Sequence, residues 1–318
     1  MRIAVIDDYQ DAFRSLAAFD KLKGHDVAVF HTPAASEQQL IDMLKGAEAV
    51  ILTQQRTALP RAVIEALPDL KMISQTGRNA AHIDLAACKE RGITVSAGGS
   101  GTPHATAELA WGLILSVARR IPSEVQALKE GRWQTSVGVG LAGKTLGVYV
   151  FGRIGSIVAT VGKAFGMKVI CWGREGSLAR AKEAGFEAAA SRDAFFSESD
   201  VVSLHIPLNK ETKGIVTRSD LARMKTDAIL INTSRAGLIE DGALLEALRQ
   251  GRPGYAGIDV YENEPVLNGD HPLLKLNNVV CTPHLGYVEQ STYETLYGAA
   301  ADQILAFAAG KPINVVAL

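Results

Sequence analysis

The chain has 318 residues, 47% hydrophobic and 21% charged, with 33 basic against 34 acidic side chains and a net charge of −1. That length is more than one ordinary core needs and suggests two domains of about 100–200 residues each. With no basic run interleaved with aromatics, nucleic acid is excluded as a partner; no apolar run approaches the roughly 20 residues of a membrane span.

In chain order, residues 2–6 read as a first strand before Asp7-Asp8, not as a signal peptide. Strand-like runs follow at 27–30, 49–52, 71–74 and 93–96, separated by helical stretches such as 36–44 and 61–66. Gly98-Gly99-Ser100-Gly101 is the densest glycine stretch and a plausible hinge. A long helix begins near Thr102 or Pro103, has 107–120 as its body and is expected to end at Pro122. Strands then recur at 145–150, 168–172, 201–204, 228–232, 255–259 and 279–281, and a final helix spans roughly 288–309. Regular alternation of strand and helix predicts an α/β fold with doubly wound parallel sheets. Cys88, Cys171 and Cys281 lie far apart, with no C-x-x-C pair. They read as small core residues of a protein from a reducing cytoplasm, and no metal site is expected.

Between the strand at 145–150 and the helix that follows lies Val150-Phe151-Gly152-Arg153-Ile154-Gly155. Such a turn lets backbone N–H groups and a helix N-terminus meet a pyrophosphate. Gly152 permits close approach of the backbone and Gly155 close helix–strand packing, while Val150 stands where the fingerprint's first glycine belongs. At the next strand end, NAD enzymes place an acid against the ribose 2′-OH. Here the sequence is Trp172-Gly173-Arg174-Glu175. Gly173 supplies no acid, Arg174 can pair with a 2′-phosphate, and Glu175 is the countervailing residue, so NADP(H) is favoured over NAD(H).

Arg235, Glu264 and His284 each follow an apolar run, in Asn232-Thr233-Ser234-Arg235, Glu262-Asn263-Glu264-Pro265 and Thr282-Pro283-His284. A guanidinium fork can anchor a carboxylate and polarise a neighbouring carbonyl. An imidazole gives and takes a proton near neutrality, and an adjacent carboxylate favours its protonated form. Together these are the parts needed to hold a 2-oxo acid and protonate its carbonyl oxygen.

On these motifs and their order, the chain resembles the D-isomer-specific 2-hydroxyacid dehydrogenases over essentially its whole length. The resemblance implies a flavodoxin-like substrate domain, 1–101 with 288–318, and a Rossmann cofactor domain, 102–287, with a cleft between them. It implies catalysis by Arg235, Glu264 and His284. It adds cofactor contacts at His205 and Pro207 of His205-Ile206-Pro207, at Thr233 and Ser234, at Asp259, and at Thr106 on the long helix. It places the substrate at the Gly77-Arg78-Asn79 loop, at Arg235 and near Tyr287, which replaces a usual small residue. It further implies a homodimer formed through the region 102–132. The alternatives are a dinucleotide-sensing, corepressor-like binding protein of the same fold and a formate- or phosphite-type dehydrogenase. The lack of a recognisable partner-binding segment argues against the first, and Thr282-Pro283-His284, the general pattern, against the second. Which 2-oxo acid is used is not legible.

Overall fold

Apolar runs of four or five residues, bounded by turn residues, pair side by side as two parallel sheets in the computed structural model, which describes residues 1–317. The chain divides into two units: Met1–Thr102 with the chain from Tyr287 onward, and Pro103–Gly286. Thr102 and Tyr287, both expected in the cofactor domain, therefore group with the first unit.

In the first unit, β1 (Arg2–Val5), β2 (Asp26–Val29), β3 (Ala49–Leu52), β4 (Met72–Thr76) and β5 (Thr94–Gly98) form a sheet of order β2-β1-β3-β4-β5. Every pairing is parallel. Apolar clusters cover both faces, one around Leu44, Ile64 and Val95, the other around Phe13, Ile51 and Tyr297. The last helix, Gln290–Ala308, closes the second of these clusters. Small residues let it lie close to β4: Ser74 Oγ donates to the Ala300 carbonyl at 2.9 Å. Tyr297 adds a buried hydroxyl 2.9 Å from Thr53 Oγ1.

In the second unit, β6 (Thr145–Tyr149), β7 (Lys168–Trp172), β8 (Glu187–Ala188), β9 (Val201–Leu204), β10 (Ile229–Asn232), β11 (Tyr255–Ile258) and β12 (Val279–Cys281) take the order β12-β11-β10-β9-β6-β7-β8, all parallel. Chain order reverses between β6 and β9, the switch point where open α/β sheets bind ligands at their carboxyl ends. The helix Pro103–Ala118 crosses one face; at Gly257 a Cβ would come within 2.9 Å of Leu113 Cβ, so glycine is what allows the approach. Cys88 and Cys171 are core residues, their thiols pushed up to about 11 and about 12 by burial.

Two expectations need correction. Pro122 does not end the long helix; the helix stops at Ala118, Arg120 turns left-handed at φ 53°, and Pro122 sits in the first turn of a new helix, Ile121–Lys129. A proline is tolerated there because first-turn N–H groups have no intrahelical partner. β8 was not expected: it has two exposed residues at the sheet edge and no apolar run to announce it.

Asp220 shows how a polar group is accommodated in this unit. It is 3% exposed, accepts Arg192 Nε at 2.8 Å and Nη2 at 2.6 Å, and closes a capping box with Thr217. Burial raises its pKa, but Arg192 and Thr217 outweigh burial and hold it below the usual carboxylate range. Asp220→Ala is expected to cost about 2–3 kcal/mol at neutral pH, through loss of a cap and an unpaired, partly buried arginine. Because the folded-state pKa is depressed, this contribution is complete above about pH 4 and is lost as pH falls through the folded value. Melting temperatures of the two proteins, followed from neutral pH into the acid range, should converge.

Candidate active site

The turn after β6 is tight. Val150 takes φ 72°, the left-handed conformation that the missing glycine would have supplied. A Cβ on Gly155 would lie 2.3 Å from the Val150 carbonyl oxygen, so the helix Arg153–Ala164 approaches the strand end as closely as backbone allows. Gly152 caps this helix without a side-chain hydrogen bond, and a Cβ there would meet nothing nearer than 3.8 Å. Arg153, at the first helical position, is exposed; Ile154 is half-buried and packs on the core below. Ser177, which the sequence did not single out, ties the turn down: its hydroxyl accepts the Phe151 N–H at 2.7 Å.

Across the switch point, His205 is 9% exposed and its Nε2 lies 2.9 Å from Ser203 Oγ. Burial pushes its pKa down to about 4, so the ring is neutral at physiological pH. Pro207 is exposed and its carbonyl accepts Thr212 Oγ1 at 2.7 Å. His205 Nδ1 and Thr233 Oγ1 are buried without a hydrogen-bond partner among the described residues. A helix N-terminus without a side-chain cap, close approach at Gly155 and two buried polar atoms without partners among the described residues fit a dinucleotide. Ser234 Oγ is already committed to the Leu204 carbonyl at 2.8 Å, and Thr106 Oγ1 to the Gly286 carbonyl at 2.7 Å, so these hydroxyls brace loops. Arg174 caps the helix Glu175–Glu183 and pairs with Glu211; the two side chains are 77% and 71% exposed.

The structure brings Glu264 and His284 together: Nδ1 of the ring is 2.5 Å from Glu264 Oε2. The other carboxylate oxygen accepts the Tyr261 N–H at 2.8 Å. Burial raises the Glu264 pKa, but the His284 hydrogen bond and charge, the Tyr261 N–H and the charge of Arg235 outweigh it and hold the carboxyl below its usual range. Arg235 is exposed at the end of β10, its Nη1 donating to the Ser234 carbonyl at 2.7 Å. Asn232 shapes its turn, giving Nδ2–H to the Arg235 carbonyl at 2.9 Å and accepting the Ser234 N–H at 3.0 Å.

His284 adopts φ 53°, and its loop is held by Asp259. That fully buried carboxylate accepts Thr282 Oγ1 at 2.6 Å, Leu285 N–H at 2.7 Å and Gly286 N–H at 2.9 Å. Burial raises its pKa, opposed by these donors and by His284. Tyr261 braces the same loop through its hydroxyl, 2.9 Å from the Thr282 carbonyl. Asp259, Tyr261, Asn232 and Ser177 are thus the supports of the site; only Asp259 was expected, and its observed partners are the loop that carries His284.

In the first unit, Gly77 takes φ 85° and its N–H donates to the Gly98 carbonyl at 2.7 Å. Arg78 is exposed, and Asn79 Oδ1 accepts the Ala81 N–H at 3.0 Å. Tyr287 packs on this unit's core and lies 5.4 Å from the guanidinium of Arg56, which stacks on Tyr9 at 4.6 Å. Nothing in the sequence marked Arg56. Asp8, Asp11 and His31 bring possible ligand atoms within 4.8 Å of one another, but the Asp8 carboxylate accepts the Ala12 and Phe13 N–H groups and serves as a cap. Among the described residues no helix is long and apolar enough to cross a membrane.

Residues 111–286 match the model of the D-isomer specific 2-hydroxyacid dehydrogenase NAD-binding domain. The chain is 36% identical over 305 residues to a glyoxylate reductase of Thermococcus litoralis, covering 92% of this chain and 91% of that one. It is 35% identical over 299 residues to a D-3-phosphoglycerate dehydrogenase of Archaeoglobus fulgidus, covering 93% of this chain but only 56% of that protein's length. Among solved structures, a phosphoglycerate oxidoreductase from Vibrio cholerae superposes with a TM-score of 0.93 at 46% identity, covering 98% of this chain and 99% of that one. With that match, these identities and the shared fold of two parallel-sheet domains, the chain belongs to the D-isomer-specific 2-hydroxyacid dehydrogenase family.

Proposed function

We propose that this protein is an NAD(P)-dependent oxidoreductase that interconverts a small D-2-hydroxy acid and its 2-oxo acid, and that Arg235, Glu264 and His284 carry the reaction. The observation that carries this reading is the contact of His284 Nδ1 with Glu264 Oε2 at 2.5 Å beside the charge of Arg235. Glu264 stays ionised and fixes the ring through Nδ1, which turns Nε2 to the opposite edge as the proton donor. Arg235 anchors the substrate carboxylate and polarises the carbonyl at carbon 2. A bound nicotinamide supplies the hydride. As carbon 2 is reduced, His284 delivers its proton to the carbonyl oxygen; in the oxidation direction it removes that proton.

NADP(H) is the preferred cofactor in this reading. Gly173 presents no carboxylate to a ribose 2′-OH, and Arg174 stands beside it. The Arg174–Glu211 pair is largely exposed, so it holds the arginine weakly and a 2′-phosphate can displace it. The protein works as a homodimer. An exposed apolar stripe supports this: Ile121, Val125 and Leu128 recur along one face of the helix Ile121–Lys129, and Trp133 and Val137 follow at 75% and 90% exposure.

Turnover of glyoxylate, hydroxypyruvate and pyruvate, each with NADPH and with NADH, tests the reading. Oxidation of NADPH by at least one acid, faster than that of NADH, is expected. No turnover with either cofactor would leave the dinucleotide-sensing alternative. His284→Ala should lower kcat by roughly 100-fold or more, the scale of general acid catalysis, with dinucleotide affinity unchanged; near-normal turnover by the folded variant would remove His284 from the mechanism. Leu128→Asp should convert a dimer to a monomer, as measured by light scattering after size exclusion; an unchanged dimer would place the interface elsewhere.

A further inference from the structure

Glu264 belongs to a loop with little packing of its own. Of residues 262–270 only Val266 is half-buried and the rest are exposed. A segment with so few buried contacts opens readily unless its ends are fixed. Its first end is Tyr261, 8% exposed in the core cluster that includes Ile258 and Leu273. Its second end is His271, whose side chain is 13% exposed. The imidazole lies against the Tyr261 ring, with centroids 4.9 Å apart and an interplanar angle of 69°, the edge-to-face arrangement that aromatic pairs prefer. Its Nδ1 accepts the Leu273 N–H at 3.3 Å and so caps the 3-10 turn Pro272–Lys275. A backbone N–H can only donate, so Nδ1 carries no proton and the ring's hydrogen is on Nε2. Nε2 stands 3.0 Å from Glu262 Oε2 and donates to it. One imidazole, through both nitrogens and its ring, thus closes the base of the loop from Glu262 to His271.

We infer that His271 is a positioning residue for the Glu264–His284 pair: its ring clasps the base of the loop that carries Glu264 and keeps that carboxylate against Nδ1 of His284, where Oε2 lies at 2.5 Å. The path between the two histidines is short. Tyr261, on which His271 packs, gives its N–H to Glu264 Oε1 at 2.8 Å and its hydroxyl to the Thr282 carbonyl at 2.9 Å. Both halves of the pair are therefore fastened to the residue that His271 braces. Glu262 is 57% exposed, and an exposed partner of this kind contributes little by itself. The ring contact with Tyr261 is the stronger half of the clasp, and Glu262 orients the imidazole. The effect on turnover rests on the catalytic roles proposed above; the clasp itself does not.

His271→Asn separates the clasp from the cap, because the asparagine side-chain oxygen can still take the Leu273 N–H while the ring is lost. The unmodified protein and this variant are compared in melting temperature, in Kd for NADPH, in kcat and KM with the best acid of the panel, and in the 15N NMR shift of His284 Nδ1. That shift is read in histidine-labelled protein without cofactor or substrate and is assigned by its absence in His284→Ala. Glu264→Gln supplies the shift of a ring that has lost its carboxylate. His271→Asn should keep its melting temperature and its Kd for NADPH. Its kcat should fall by about tenfold, within the roughly 100-fold that a misplacement of about 1 Å can cost, with KM little changed. Its His284 Nδ1 shift should move toward that of Glu264→Gln. An unchanged kcat with an unchanged Nδ1 shift would overturn the inference, whether or not the melting temperature fell, because His271 would then be a structural cap alone. Should His271→Asn fail to fold, His271→Gln, which also lacks the ring, takes its place in the same measurements. If the unmodified protein turns over no acid, the functional reading fails, and the Nδ1 shift still decides whether His271 holds Glu264 against His284.

Discussion

The carboxylate of Asp259 is buried at the end of β11 and accepts three hydrogen bonds from the loop that follows β12. A buried carboxylate is costly unless its oxygens are satisfied, and here the Thr282 hydroxyl and two backbone N–H groups satisfy them. The loop is thereby fixed at Thr282, Leu285 and Gly286, and the residue between these anchors, His284, is held left-handed at φ 53°. Histidine tolerates that conformation better than most residues. Tyr261 fastens the same loop through Thr282 and fastens Glu264 through its own N–H. The ring and the carboxylate that faces it are therefore positioned by one short stretch of chain, 259–264, acting on another, 282–286.

The same economy holds further along the same edge of the unit's sheet. All its strands are parallel, so their carboxyl ends share one edge, and the reversal of chain order between β6 and β9 opens that edge at the glycine turn and His205. The turn does not rely on the usual glycine. The turn closes on a valine whose unfavourable backbone is held by Trp172 and Gly152, and its next peptide is held by a serine from the following helix. His205 stays neutral because it is buried.

Much of the fold was legible because parallel strands buried on both faces are nearly uninterrupted apolar runs. Residues 49–52, 168–172, 201–204 and 279–281 are strands over the span their composition marks. β8 escaped because an exposed edge strand of two residues has no such pattern. The break after Ala118 escaped because a left-handed arginine carries no local signal, so Pro122 was read as an end when it lies in a beginning. In the candidate site, Arg235, Glu264 and His284 were legible because each closes a motif after a strand. Ser177, Tyr261 and Arg56 were not, since their significance lies in partners 26, 21 and 49 residues away.

The sequence by itself determined the layered α/β architecture, the strand ends at which chemistry can occur and the residue types placed there, because these depend on periodicity and on residues adjacent in the chain. The tertiary structure alone decided which of those residues meet. It set Glu264 against Nδ1 of His284, spent the hydroxyls of Ser234 and Thr106 on bracing loops, gave the Gly77 N–H to Gly98, moved Tyr287 onto the first unit's core, and placed Val150 beside Gly173. The physical reason is range. Hydrogen bonds and close packing act over a few ångströms between groups that the chain separates by tens of residues, and only the folded sheets bring those groups within reach.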